Sequence, residues 1–237
     1  MILTSLEHKT KKYKSTKSWK TEYYNKFSKF LINKFDLLPS NNTYNLTIST
    51  EKKFVWFRVA KVGTRTTLKI LKDSSIDIEA EQLFDTRYPV KRYDEFFKFA
   101  FVRNPWERLV SCYLFFLRRY DNNKQIKGVN STAIKSFENF IAFVETQDLR
   151  ICNSHFRLQS SLIDLNNIDY LGRFENFEQN LTYILDKLDI RYSLIPHLNK
   201  TSASKGYREF YNDDLIKRVH KLYQKDISIF NYSFSHE

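Results

Sequence analysis

Short, continuous apolar runs alternate along the chain with segments whose apolar residues recur at helical spacing. FVWFRVA (residues 54 to 60) and KFAFV (98 to 102) have the length and the aromatic and β-branched content of strands buried on both faces. YLGRF (170 to 174) predicts a further strand. Because helical patterns follow these runs, the sequence predicts an α/β fold, with a central, mostly parallel sheet flanked by helices.

Helix signals come directly after the strands. After the second run, Asn104 supplies an N-cap, Pro105 takes the first helical position and Glu107 stands where a capping box has its carboxylate. Apolar residues at helical spacing predict later helices near residues 137 to 144, 177 to 188 and 215 to 222, with caps at Asn176 and Asn212 before the last two.

The first 50 residues differ from the rest of the chain. They open with the basic, weakly hydrophobic run HKTKKYKSTKSWK, and aromatic residues follow. The pattern predicts a basic N-terminal arm and helix over residues 1 to 50, followed by a single domain over residues 51 to 237. A role for the arm in holding an anionic substrate and a role as a solvated tail both stay open.

The charge narrows the classes of partner. The 237 residues carry a net charge of +12, which favours an anionic partner such as nucleic acid, a lipid surface, an acidic glycan or a phosphorylated cofactor. No nucleic-acid partner is expected, because no helix-turn-helix, zinc-finger or RNA-binding signature is present. Cys112 and Cys152 show no metal-ligand spacing. No stretch reaches the roughly 18 apolar residues of a membrane span and no signal peptide is visible, so a cytoplasmic location is expected.

A polar loop after the first strand has the composition of a phosphate cradle. In α/β sheets, ligands bind beyond the carboxyl ends of the strands, close to helix N-termini. The loop supplies two cations, three hydroxyl groups and a glycine that lets the backbone approach an anion; its residues are Lys61, Val62, Gly63, Thr64, Arg65, Thr66 and Thr67. It is not a Walker A loop, because the lysine precedes the glycine. An ordinary polar turn is the alternative.

The strand, turn and helix around RNPWERLVSCY point to the same edge of the sheet. Arg103 ends the second strand, which aims its guanidinium at the edge that carries Lys61. Ser111 lies two turns into the helix, where its hydroxyl could reach a phosphate. Two convergent basic groups indicate a ligand with two separated anionic groups. The alternative is an Arg103 paired with Glu107 and a Ser111 on the helix surface.

These motifs resemble those of a known family. KVGTRTT resembles the 5'-phosphosulfate loop, and FVRNPWERLVSCY the 3'-phosphate motif, of the carbohydrate sulfotransferases that include the HNK-1 and chondroitin sulfotransferases. SHFRLQS, DYLGRFENFEQNL, HLNKT, YREFYNDDL and DISIFNYSF agree in order, so the resemblance covers roughly residues 52 to 234. It implies a P-loop-NTPase-like sulfotransferase fold. It also implies transfer of a sulfuryl group from 3'-phosphoadenosine 5'-phosphosulfate (PAPS), without a metal, to a hydroxyl of an oligo- or polysaccharide.

The resemblance also implies roles for single residues. Residues 61 to 67 would bind the 5'-phosphosulfate, and Arg103 and Ser111 the 3'-phosphate. Lys205 and Gly206 either fold over the nucleotide or form an ordinary loop. One departure is Ala60, where related loops commonly have proline. The eukaryotic relatives are typically Golgi membrane proteins with an N-terminal anchor, and since none is visible here a soluble bacterial or viral version is expected.

The catalytic base is the least defined part of the site. Lys61 is the candidate for stabilising the leaving group, and a histidine or carboxylate must take the acceptor's proton. His155 is the first choice, because SHFRLQS resembles an HWRPQ-like segment of the family, and a structural role for it is the alternative. The other candidates are His197, Asp85, Asp94, Asp169 and Glu175. Arg173 either completes the site or pairs with Glu175.

Three other functions compete with sulfuryl transfer. A nucleotide-dependent kinase-like enzyme would need a Walker-type loop and a metal-binding carboxylate at a strand end, and neither is evident. A non-catalytic basic protein that binds anionic glycan or nucleic acid would show salt-dependent binding without nucleotide specificity. A degenerate sulfotransferase that binds its donor but does not turn over is the third.

Overall fold

Five strands form the sheet that organises the fold. The structure is a computed structural model, and it describes residues 40, 42 to 121, 129, 131 to 192 and 206 to 235. The strands lie side by side in the order β3-β1-β2-β4-β5. Their bounds are β1 (Tyr44–Ser49), β2 (Phe54–Phe57), β3 (Ala80–Thr86), β4 (Phe97–Val102) and β5 (Tyr170–Arg173).

The sheet is mixed, with most strands running in one direction. β2 pairs with β4, and β4 with β5, in parallel register, whereas β1 is antiparallel to both β2 and β3. β1 is therefore reversed and the other four described strands share a direction. This confirms the predicted α/β fold with a mostly parallel sheet. It also brings the carboxyl ends of β2, β4 and β5 to one edge.

Two of the strands were not predicted from the sequence. β1 has the sequence YNLTIS, whose polar residues do not suggest a buried strand, yet all six residues are buried. Thr47 and Ser49 are tolerated there because their hydroxyls donate to the carbonyls of Glu81 (2.5 Å) and Asp77 (2.6 Å). β3 is an edge strand with an irregular register. The sheet thus begins at Tyr44, upstream of residue 51, where we had expected the domain to start.

The helices follow the strands as predicted. Their bounds are α1 (Thr64–Asp73), α2 (Pro105–Asp121), α3 (Ser131–Ile134), α4 (Phe137–Glu145), α5 (Phe177–Lys187) and α6 (Asp213–Phe230). Asn212 caps α6 as expected, accepting from the Leu215 amide at 2.9 Å, whereas the side chain of Asn176 forms no cap at α5. Within the described residues no helix has both the length and the apolar character that crossing a bilayer requires.

Two hydrophobic clusters form the core. The first joins the sheet to α1 and α5 and is rich in aromatic residues, among them Trp56, Phe99 and Phe101. The second holds α2, α3, α4 and α6 together. Burying one such aromatic side chain contributes about 1.5 to 3 kcal/mol, so the aromatic content of the sequence is a main source of stability.

A buried polar chain connects the two clusters at the carboxyl ends of the strands. Asp226 of α6 accepts from the amides of Gln159 (2.6 Å) and Ser160 (3.0 Å). The Gln159 amide group in turn accepts from the Arg103 N–H and donates to the Arg103 carbonyl, both at 2.9 Å. The backbone at the end of β4 is thereby fixed against the helical half of the protein.

Candidate active site

A cavity of about 440 Å³ opens at the carboxyl ends of the parallel strands. Its lining is dominated by cations and aromatic rings. The lining residues are Asn45, Arg58, Val59, Ala60, Lys61, Gly63, Thr64, Arg65, Leu68, Gln82, Phe84, Arg103, Ser111, Phe115, Arg118, Ser154, His155 and Phe174. Seven of the twelve residues predicted to form the site therefore lie around one space: Lys61, Gly63, Thr64, Arg65, Arg103, Ser111 and His155.

The loop between β2 and α1 is held in an unusual backbone conformation. Lys61 has φ 73° and Gly63 has φ 85°, both in the left-handed region. For Lys61, this costs about 1 to 3 kcal/mol, which the surrounding contacts must offset. At Gly63 a Cβ would also lie 2.3 Å from Cε2 of Phe177, so only glycine fits there.

The same loop presents the N-terminus of α1 to the cavity. The first helical bond runs from the Thr67 amide to the Gly63 carbonyl (3.1 Å). Amides that precede it in a helix have no intrahelical acceptor and carry the positive end of the helix dipole. Their position beside Lys61 and Arg65 makes this end of the helix suited to an anion.

The threonines of the loop stabilise its shape. Thr64 Oγ1 donates to the Val59 carbonyl at 2.7 Å, and Thr67 Oγ1 to the Gly63 carbonyl at 3.4 Å. Thr66 and Thr67 are buried, and neither lines the cavity. The Val62 side chain lies in the core. Val62, Thr66 and Thr67 could therefore contribute to a bound anion only through their backbone or indirectly.

Arg103 is buried at the end of β4, with only 7% of its surface exposed. Its Nη1 donates to the Lys61 carbonyl (3.1 Å), and its Nη2 pairs with Glu107 (2.7 Å), as the alternative interpretation of the sequence had it. The guanidinium carbon lies 4.2 Å from the centre of the Phe174 ring. Its Nε is buried and has no hydrogen-bond partner, which is unusual for a buried donor.

Lys61 and His155 meet at one aromatic ring. The Lys61 ammonium lies 4.7 Å from the centre of the Phe115 ring, and the His155 ring stacks on Phe115 at 4.7 Å and 10°. Burial, together with the nearby Arg103, Arg118 and Arg65, lowers the pKa of Lys61 to about 8. A cation with this pKa is charged at neutral pH and poorly neutralised, which favours binding of an anion.

His155 is neutral in this environment. Burial, followed by the charges of Lys61 and Arg108, lowers the pKa of His155 to about 4. Its Nδ1 lies 2.9 Å from Oδ1 of Asn153, an oxygen that can only accept. Nδ1 must therefore carry the proton, which leaves Nε2 free to accept one.

Arg108 ties the loops of these two residues together. Its Nε donates to the Ala60 carbonyl (3.1 Å), while Nη1 and Nη2 donate to the carbonyls of Arg157 (2.9 Å) and Ser154 (3.1 Å). One fully buried guanidinium on α2 thus fixes the backbone beside Lys61 and beside His155. It lies within the RNPWERLV motif, but its role was not predicted, because the pattern shows only a charged residue on a helix.

The carboxylates proposed as alternative bases do not line the cavity. Asp169 accepts from the Lys98 amide (2.7 Å) and the Asp94 carbonyl accepts from the Lys98 ammonium (3.0 Å), both at the amino end of β4. Glu175 accepts from the Asn104 amide (2.6 Å) and the Tyr232 hydroxyl (3.0 Å). Glu175 therefore takes the capping role that we had assigned to Glu107.

The remaining candidates are placed as follows. Asp85 is mostly exposed and pairs with Arg157 at 3.4 Å. Arg173 donates to the Phe230 carbonyl (2.6 Å) and stacks on Tyr232; it does not line the cavity and forms no ion pair with Glu175. Gly206 is exposed and does not line the cavity. Lys205 and His197 lie outside the described residues.

In the described part of the chain, no group of three or more His, Cys, Asp or Glu side chains is arranged to hold a metal ion. Cys112 and Cys152 are free thiols, and burial raises the pKa of Cys112 to about 12 and that of Cys152 to about 11. The cavity thus relies on cations, backbone amides and one neutral imidazole.

The cavity combines cations with the N-terminal amides of a helix at the strand ends of a mostly parallel sheet. This arrangement is typical of α/β proteins that bind a multiply charged anionic ligand. The chain belongs to the sulfotransferase family, whose sequence model matches residues 44 to 233. The resemblance to carbohydrate sulfotransferases that we drew from KVGTRTT and FVRNPWERLVSCY is confirmed by comparison with curated proteins.

Three relatives illustrate that resemblance. Carbohydrate sulfotransferase 11 of Mus musculus is 28% identical over 170 residues, which cover 60% of this chain and 48% of the relative. Carbohydrate sulfotransferase 12 of Mus musculus is 29% identical over 166 residues, which cover 57% of this chain and 40% of the relative. Carbohydrate sulfotransferase 14 of Danio rerio is 25% identical over 180 residues, which cover 61% of this chain and 48% of the relative. The matches span about half the length of these relatives. No solved structure matches the chain significantly.

Proposed function

We propose that the protein transfers a sulfuryl group from PAPS to a hydroxyl of a carbohydrate. The observation that carries this proposal is that the buried Arg103, whose Nε has no hydrogen-bond partner, lines the same cavity as Ser111, Lys61 and the N-terminus of α1. Two separate anion sites in one cavity suit a nucleotide with phosphate groups at both its 3' and 5' positions. The names of the relatives support a carbohydrate acceptor.

In this proposal the donor is bound at its two charged ends. The loop of residues 61 to 67 and the amides of α1 hold the 5'-phosphosulfate, and Arg103 with Ser111 holds the 3'-phosphate. Phe174 lies under the Arg103 guanidinium and fixes its plane, which favours a defined hydrogen-bond geometry. The 3'-phosphate contacts would distinguish this donor from ATP, which has no phosphate at that position.

The proposed reaction is an in-line displacement at sulfur. The acceptor oxygen forms a bond to sulfur while the bond between sulfur and the 5'-phosphate oxygen breaks, and adenosine 3',5'-bisphosphate leaves. Lys61 stabilises the charge that develops on the leaving oxygen. His155 accepts the hydroxyl proton at Nε2, for which its neutral state and its fixed tautomer are suited.

The test is calorimetric titration with adenosine 3',5'-bisphosphate. We expect binding by the wild-type protein, at least tenfold weaker binding by Arg103→Ala, and weak or no binding of ATP. Arg92→Ala is the control, because it removes the same charge from an exposed turn before β4 that does not line the cavity.

Two outcomes would contradict the proposal. Equal affinity for the bisphosphate and ATP would remove the case for a 3'-phosphate site. Absence of bisphosphate binding by a folded wild-type sample would favour a basic protein that binds anions non-specifically, and equal losses in the two arginine variants would point the same way.

A further inference from the structure

The side chain of Asn153 holds both the backbone and the ring of His155. Oδ1 of Asn153 accepts from the His155 backbone amide at 3.0 Å and lies 2.9 Å from Nδ1 of the ring. The ring is restrained further because it stacks on Phe115 at 4.7 Å and 10°. One amide oxygen and one aromatic ring therefore fix the orientation of the imidazole in the cavity wall.

The loop that carries Asn153 is constrained by its own hydrogen bonds. The Asn153 carbonyl accepts from the amides of Phe156 (3.1 Å) and Arg157 (3.0 Å). The Arg157 side chain donates back along the loop, from Nε to the Cys152 carbonyl (2.7 Å) and from Nη2 to the Ile151 carbonyl (3.0 Å). The Asn153 side chain is exposed, but a backbone held in this way keeps it next to the imidazole.

Cations surround His155 on the elements that pack against it. Lys61 and Arg65 belong to the loop before α1 and to its first turn, and Arg108 and Arg119 belong to α2. Burial acts first and these charges second, and together they lower the pKa of His155 to about 4. The bond to Asn153 adds no charge to this environment, because the partner atom belongs to an amide.

A carboxylate in the place of Asn153 would orient the ring and also change its titration. In Ser-His-Asp triads the aspartate holds the imidazole in one tautomer and stabilises the imidazolium. An opposite charge at this distance raises the pKa of a histidine by about one to three units. An amide oxygen accepts the same hydrogen bond without stabilising the imidazolium to that extent, so the ring is oriented and stays neutral.

A purely structural role for Asn153 is the competing explanation. Asparagine side chains often accept from the amide two residues on, and the bond to the His155 backbone is a turn of this kind. Aspartate forms the same turn, so a structural role would tolerate Asn153→Asp without consequence for the ring. The bond to Nδ1 is different, because it acts on a group that titrates.

We infer that Asn153 is a positioning residue for His155: its amide oxygen keeps the ring proton on Nδ1 and adds no charge, so Nε2 can accept a proton in mildly acidic as well as neutral solution. This inference rests on the proposed function, because that function makes His155 the base. It assigns a role to a residue outside the cavity lining, acting through the imidazole.

The test is nitrogen-15 NMR of the full chain with labelled histidine, followed between about pH 8 and pH 5. The chain has five histidines, and the signals lost in His155→Gln identify His155. The chemical shifts of the two ring nitrogens report which of them carries the proton and when the ring becomes charged. In the wild-type protein the proton should stay on Nδ1 and the ring should stay neutral throughout.

Two substitutions of Asn153 separate orientation from charge. Asn153→Asp should keep the proton on Nδ1 but raise the titration midpoint of His155 by about one to three pH units. Asn153→Ala should let the neutral ring distribute its proton over both nitrogens, because the acceptor is gone. Asn139→Asp is the matched control: it adds the same charge at an exposed position of α4 that does not line the cavity, and it should behave like wild type.

Three results would overturn the inference. They are an unchanged titration of His155 in Asn153→Asp, a proton that stays on Nδ1 in Asn153→Ala, and an equal shift of the midpoint in Asn139→Asp. Failure of the proposed function looks different. The wild-type protein would then not bind adenosine 3',5'-bisphosphate, whereas the NMR differences between the Asn153 variants and the wild type would persist.

Discussion

The two ends of the cavity are built in different ways. At the β5 end, Arg103 follows a regular strand, opens a capped helix and has both its Nη atoms and its backbone paired. At the β3 end, Arg58 depends on a bulged edge strand and pairs with a single carbonyl. The first arrangement is typical of a site that is preorganised for one invariable ligand. The second leaves more of the recognition to the ligand.

The contrast shows how one cavity can have one end that is held rigidly and another that the fold constrains less. Regular strands and helix termini restrict side chains to a few orientations, and the polar chain from Asp226 through Gln159 removes the remaining freedom at Arg103. An edge strand can change its bulges without disturbing the rest of the sheet. We therefore expect the predictions below to separate the two ends.

The largest effect is expected at His155, where donor and acceptor would meet. His155→Gln keeps a polar side chain of similar reach but cannot take a proton at neutral pH. We expect turnover to fall by about 10² to 10⁴, while binding of the bisphosphate stays within about threefold because the donor ends are untouched. Steady-state rates and calorimetry measure the two quantities. A variant with near wild-type turnover would show that another group is the base.

The next largest effect is expected at Gly63, which supports the donor end. Gly63→Ala places a Cβ 2.3 Å from the Phe177 ring at a left-handed φ. We expect the free energy of unfolding to fall by about 2 to 4 kcal/mol and bisphosphate binding to be lost. Denaturant unfolding is the measurement, and Gly206→Ala is the matched control, since its Cβ would meet no atom within 4 Å. Equal losses in the two variants would contradict the packing argument.

A smaller effect is expected from the titration of Lys61. Because the pKa of Lys61 is lowered to about 8, its charge is lost as the pH rises from 7 to 9, whereas the phosphates of the ligand are already ionised at pH 7. Bisphosphate affinity should fall about tenfold over this range. The pH dependence of stability has the opposite sign: the unfolded state holds this proton up to about pH 10.5, so between pH 8 and 10.5 this group makes the free energy of unfolding rise.

Lys61→Met is the control for that titration. It should bind the bisphosphate more weakly at every pH and lack the decrease between pH 7 and 9. If the variant retains the decrease, another group near the cavity is responsible, and the assignment of the titration to Lys61 is wrong.

The smallest effect is expected at Glu107, the partner of Arg103. Glu107→Gln keeps an oxygen that can accept from the guanidinium but removes a negative charge close to the proposed 3'-phosphate. We expect bisphosphate affinity to rise about two- to fivefold. A fall in affinity would mean that the carboxylate mainly holds Arg103 in place.

The sequence predicted the β5 end of the site well. The runs that form β2 and β4 are mostly apolar and buried, and the cap at Asn104 and the position of Arg103 follow from the residues that surround them. Periodicity could place Lys61, Arg103 and Ser111 at one edge because parallel strands share a direction.

The β3 end could not be predicted in the same way. Apolar and polar residues do not alternate regularly in β1 and β3, so these strands give no clear sequence signal. In β1, Thr47 and Ser49 are buried because they form hydrogen bonds to distant carbonyls, and β3 contains bulges. Arg58 stands within an apolar run, and nothing in the local pattern tells which side of the sheet it faces. Pairings between residues far apart in sequence decide these features, and a single sequence does not display them.

The guanidinium of Arg108 has a consequence for the order in which the site forms. It bonds to carbonyls before α1 and between α4 and β5, which are segments some 95 residues apart, and the arginine itself belongs to α2. Neither loop can reach its final shape until all three segments have come together. During synthesis the loop around Lys61 therefore emerges before Arg108 and long before the segment of Ser154 and Arg157. The amides of this loop should become protected from hydrogen exchange only when the chain beyond Arg157 has folded onto α2.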